Sequence, residues 1–182
     1  MYDKDYKLHT LAGFVLSDTN QKNVVSAEEL KKLNLSGPIN ALILNHDDHV
    51  YTKVRFDNNT IKSFKKDGLL KIEDPLSRSL IWRNLWQQVL DYKLSATDFY
   101  HFLLTNLPNE TVEDSVKDQM RNARGLINFF LPLDKVKESK EKFFDVLLGI
   151  ASKPGTSSNI QEKVVENMDL FVATPQQSQL VL

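Results

Sequence analysis

The chain has 182 residues, enough for one ordinary domain or for pieces of two larger ones. Apolar residues make up 41% and charged residues 26%, with 6 Gly and 6 Pro, which excludes disorder, collagen and low complexity as descriptions of the whole chain. Lys and Arg number 23 against 24 Asp and Glu, so a net charge of -1 gives no bulk positive field for nucleic acid or an anionic membrane, and the absence of Cys removes disulfides, thiol nucleophiles and thiolate metal sites.

The opening Met-Tyr-Asp-Lys-Asp-Tyr-Lys lacks the apolar core of a secretory signal, and no apolar run reaches the roughly 18 residues of a membrane span. A soluble, cytoplasmic chain without nucleic-acid or membrane partners is the expectation. Lys7 to Leu16 reads as a strand interrupted by Gly13, and Ser26 to Leu33 as one helical turn or two. Ala41 to Leu44 is a short apolar run. From Val50 to Phe56, Val50, Thr52, Val54 and Phe56 alternate with Tyr51, Lys53 and Arg55, the period of a half-buried strand. With Asn45-His-Asp-Asp-His49 as the turn, these two runs predict a hairpin. Three short strands cannot close a core by themselves, so another layer must cover them.

After Asp57 the pattern is helical. Asp74-Pro75 pairs an N-cap with Pro at the first helical position and opens a helix to about Asp91, with Leu76, Leu80, Ile81, Trp82, Leu85, Trp86, Val89 and Leu90 on nearly every side. Ser95 with Asp98 starts a second helix whose broad apolar face carries Phe99, Tyr100, Phe102, Leu103, Leu104 and Leu107. Thr111 with Asp114 starts a third, striped by Val112, Val116, Met120, Ala123, Ile127 and Phe130 and ended by Pro132. Asp134 opens a fourth to about Ala151, Lys153 to Ser158 is a loop, and Ser158 with Gln161 caps a fifth toward Phe171. Thr174-Pro175 is a last helix start, with eight residues from Pro175 to the end, too few for an independent helix. A sheet without companions and a helix without room lead to the expectation that both ends open onto further protein.

Sites of chemistry are few. His46, Asp47, Asp48 and His49 read as a polar hairpin turn rather than a metal site, because four adjacent residues rarely converge on one ion. His101 is a lone histidine on a polar helix face without an acid partner in sequence. The third predicted helix repeats Lys117, Arg121, Arg124 and Asn128 opposite its apolar stripe. Such a row can hold a peptide carboxylate by charge-assisted bonds, or it is a solvated face paired locally with Glu113 and Asp114.

Ala41-Leu-Ile-Leu-Asn-His-Asp-Asp-His-Val-Tyr-Thr-Lys-Val-Arg-Phe-Asp57 resembles the closing strands of the β-sandwich domain of the aminopeptidase N family of zinc aminopeptidases. Glu73-Asp-Pro-Leu-Ser-Arg-Ser-Leu-Ile-Trp-Arg-Asn-Leu-Trp86 resembles the first long helix of that family's C-terminal helical domain. The resemblance implies an α+β, mostly α chain: residues 1–57 a partial β-sandwich of antiparallel strands, residues 58–182 the start of a superhelical repeat region, incomplete at its C-terminus. The family's His-Glu-x-x-His zinc helix and Gly-x-Met-x-Asn motif are absent here, and His46 and His49 have the wrong spacing and no intervening Glu. The implied role is therefore non-catalytic, with zinc only in the parent enzyme, Lys117, Arg121 and Arg124 as substrate-binding residues in the chamber wall, and the remainder of the enzyme and its peptide substrate as partners. The other reading is a stand-alone helical-repeat module that binds a second protein along its concave surface.

Overall fold

The computed structural model describes residues 11–16, 19–26, 41–45, 48, 53–66 and 68–181. They fall in two compact units, Met1–Gln88 and Val89–Leu182.

The first unit contains a three-stranded antiparallel sheet in the order β2-β1-β3, made of β1 (Leu11–Leu16), β2 (Thr19–Ser26) and β3 (Ala41–Leu44). Gly13 in the centre of β1 faces Val24 on one side and Ile43 on the other, and the β1–β2 register shifts between Val15 and Leu16. Ala41–Leu44 is a strand as the sequence implies, but its described partner is β1 and not Val50–Phe56. Residues 50–52 lie outside the described residues, and 53–57 are not part of a strand. Alternation still sets their burial: Val54 and Phe56 are buried while Lys53 and Arg55 are exposed. The Val54 amide donates to a helix side chain, Asn84 Oδ1, at 2.9 Å.

Asp57 then caps α1 (Asn58–Lys66), its carboxylate accepting the amides of Asn59 and Thr60 and the Thr60 hydroxyl. These bonds hold the Asp57 carboxyl below its ordinary range, the Thr60 hydroxyl being the largest cause. α1 packs on β3 and sets Phe64 edge-on to Phe56, with ring centres 5.4 Å apart. A 3-10 turn, Gly68–Lys71, leads to α2 (Pro75–Leu90). Asp74 accepts the Ser77 amide at 2.8 Å, the cap its sequence implies. Burial along α2 is broad but not complete, because Trp82 is buried, Trp86 only half-buried, and Leu76 and Leu90 are exposed. Ser77, Asn84 and Gln88 form a buried polar stripe on the same helix.

The second unit is built from helices that pack on their neighbours: α3 (Ala96–Asn106), α4 (Glu113–Phe129), α5 (Leu133–Ser152), α6 (Ser158–Met168) and the short α7 (Pro175–Gln179). Ser95 caps α3 through the Asp98 amide, and Thr174 caps α7 through the Gln177 amide. Two predicted caps differ. At the start of α4 the N-cap residue is Val112 rather than Thr111, and the buried Glu110 carboxylate accepts the Thr111 and Val112 amides at 2.9 and 3.1 Å. Ser157, one residue before the predicted Ser158, caps α6 through the Ile160 amide.

α5 packs on α6, with Phe143, Phe144 and Leu147 of α5 and Ile160 and Val164 of α6 buried, and the ring of Phe171, from the 3-10 turn Asp169–Phe171, is centred 4.7 Å from that of Phe143. Between α5 and α6, Pro154-Gly155 makes a tight turn closed by the Thr156 amide on Lys153 O, and Gly155 takes the positive φ of 85° that other residues rarely adopt. Lys153 Nζ then ties the end of α5 to Pro108 O and Asn109 Oδ1. No helix among the described residues is long and apolar enough to cross a membrane.

Candidate functional site

α4 is cut lengthwise into two faces by its sequence. Val116, Met120, Ala123 and Ile127 are buried, whereas Lys117, Arg121 and Arg124 are exposed and fall within an arc of about 60° at 100° per residue. Where this basic face meets the end of α6, a hollow of about 200 Å³ opens. It is lined by the basic side chains of Lys117, Arg121 and Arg124, by the apolar Met120, Leu170 and Phe171, and by Asn167. The structure thus brings together all three basic residues singled out in the sequence.

The basic lining carries charge that is largely uncompensated. Arg121 Nη2 lies 2.9 Å from Asp118 Oδ1 on the same helix, while among the described residues Lys117 and Arg124 make no ion pair. Glu113, a local partner the sequence offers to Lys117, instead accepts the Asn159 amide hydrogen at 3.1 Å. Lys163 on α6 does not line the hollow; it pairs with Glu166 at 2.9 Å, which holds its pKa above the ordinary range.

A hollow of this size lies below the roughly 300–1,000 Å³ of pockets that enclose a drug-sized molecule, so it accommodates an end group with one side chain. Guanidinium pairs match carboxylate geometry, and the apolar lining matches an apolar side chain next to it. The lining holds no carboxylate, hydroxyl, thiol or imidazole.

His46, Asp47 and His49 lie outside the described residues. Asp48 is exposed, accepts a bond from Asn45 Nδ2 and pairs with Arg83 at 3.0 Å. His101 is exposed on α3. Among the described residues, no group of three or more His, Asp or Glu is placed to hold a metal ion. Asn128, the fourth member of the predicted row, is half-buried and does not line the groove. Sequence reasoning missed Asn167, Leu170 and Phe171, which come from a different element and carry no local signal of their proximity to α4.

No protein-family model matches this chain, and no curated protein matches it.

Proposed function

We propose that this chain is a non-catalytic C-terminal portion of a zinc-dependent aminopeptidase of the aminopeptidase N type. In this reading the sheet is the end of a β-sandwich, the helices begin a superhelical array, and the helical part walls the chamber in which a peptide loses its N-terminal residue. The observation that carries the reading is the α4 groove, where three basic side chains join three apolar ones without a carboxylate in the lining. Such a surface suits the C-terminal carboxylate and last side chain of a peptide held at its far end. The resemblance of Ala41–Asp57 and Glu73–Trp86 to the family adds the enzyme class. The residues of this chain do not fit zinc, since its sequence has no His-Glu-x-x-His pair one helical turn apart, and the metal belongs to the remainder of the enzyme.

The test is to isolate the natural polypeptide with an antibody against residues 96–181, weigh it by mass spectrometry and assay it on aminoacyl amides with and without a chelator. A longer polypeptide with chelator-sensitive activity supports the reading. A polypeptide of 182 residues without activity supports a stand-alone helical module that binds another protein. One observation favours that second reading. The last helix is held within its own unit, because Gln177 is buried, donates to Glu141 O and Asp145 Oδ1 and accepts from the Ala173 amide.

A further inference from the structure

Resting on the groove's reading as a carboxylate site, we propose that Asp118 is a built-in competitor for it: a tethered carboxylate that occupies Arg121 until a ligand's carboxylate displaces it. Asp118 is three residues before Arg121, and its Oδ1 lies 2.9 Å from Arg121 Nη2. At 100° per residue it stands about 60° around α4 from Arg121, on the side away from Arg124, and it is not part of the lining. The ligand site and the competitor therefore approach one guanidinium from different sides. Lys117 and Arg124 have no such partner among the described residues, so Arg121 alone of the three must exchange one anion for another.

The exchange is cheap enough to be reversible. Both side chains are more than half exposed, 74% for Arg121 and 51% for Asp118, which places the pair among the weak surface ion pairs. A pair of that strength lowers the affinity for a competing carboxylate by a factor of about two to five rather than abolishing it. It also sets a selectivity. A ligand that offers only one weak contact does not displace Asp118, whereas a free carboxylate with an apolar neighbour engages Arg124, Lys117 and the apolar lining at the same time.

The probe is a fluorescein-labelled peptide ending in leucine with a free C-terminal carboxylate, titrated with the purified 182-residue chain and read by anisotropy. Asp118→Asn keeps the side-chain shape and removes the charge, and Asp114→Asn, one turn earlier on α4 and without an ion pair among the described residues, makes the same change in net charge. The proposal predicts that Asp118→Asn tightens binding about two- to fivefold, that Asp114→Asn does so clearly less, and that Asp118→Asn has no effect once Arg121 is Ala. Equal gains from the two Asn variants would mean general electrostatics and overturn the competitor role, as would an unchanged or weaker affinity in Asp118→Asn. In those cases the carboxylate site itself stands, provided the wild-type chain prefers the free acid over the C-terminal amide. If no variant binds the free acid, both the competitor and the carboxylate site fall.

Discussion

Asn84 Oδ1 on α2 accepts the Val54 amide at 2.9 Å, and the same side chain donates through Nδ2 to Leu80 O at 2.8 Å. A single carboxamide thus fastens the segment before α1 to a helix. Both ends of the bond are buried. Replacing Asn84 by Ala leaves the Val54 amide without an acceptor in an environment closed to water, and the expected loss is about 1–3 kcal/mol. Urea denaturation followed by tryptophan fluorescence measures it. A loss under about 0.5 kcal/mol would mean that the segment finds another acceptor at no cost.

The two tryptophans of α2 separate by burial. Trp82 is 1% exposed, and Trp82→Ala should cost roughly 3–5 kcal/mol, whereas the half-buried Trp86 should cost clearly less on the same substitution. Equal losses at both positions would contradict the observed rotation of α2. The sequence does not separate the two, because a pattern with apolar residues on nearly every side does not say which edge of the helix meets water.

Tyr92 follows the C-terminus of α2 with φ at 56° and a side chain open to solvent, 86% exposed. A β-carbon in that left-handed conformation costs about 1–2 kcal/mol, while glycine adds about 0.5–1 kcal/mol of unfolded-state entropy. The strain is the larger effect. Tyr92→Gly should therefore raise stability by roughly 0.5–1 kcal/mol, visible as a higher melting temperature. A lower melting temperature would show that the ring makes contacts the fold depends on.

Tyr100 donates its hydroxyl to Ser139 O at 2.7 Å, and burial, helped by the charge of Glu138, pushes its pKa up to about 12. An unfolded tyrosine ionises near 10. The folded chain holds the proton more tightly, so this contribution to stability is complete below pH 10 and is lost as pH rises from there toward 12. Stability profiles should fall across that window in the wild type, and the fall should be shallower in Tyr100→Phe. Identical alkaline slopes would contradict the assignment. At neutral pH Tyr100→Phe should cost about 0.5–1.5 kcal/mol for the lost bond.

Much of the helical architecture is legible from residues that punctuate it. Asp74-Pro75, Ser95 and Thr174-Pro175 cap helices as read, since each cap is a local bond between a side chain and an amide three residues on. At the start of α4 the Glu110 carboxylate takes the Thr111 and Val112 amides and Val112 is the N-cap residue, and Ser157 precedes an equally suitable Ser158. β2 escaped notice because Thr19-Asn-Gln-Lys-Asn23 is polar throughout and shows no alternation, and β1 pairs with it regardless through its backbone. The basic row of the groove was visible as helical spacing on α4. Its apolar lining was not, because Leu170 and Phe171 reach it through the packing of α4 with α6.

The central claim is that the α4 groove holds the far end of a peptide on behalf of an aminopeptidase. It is tested most directly in the natural polypeptide by replacing Arg121 and Arg124 with Ala and comparing KM for a peptide with a free C-terminus and for a small aminoacyl amide. The account predicts a higher KM for the peptide, an effect that shrinks as salt is added, and an unchanged KM for the small amide, which has no distant carboxylate to hold. Unchanged constants for both substrates would contradict it, leaving the basic face of α4 as solvent cover.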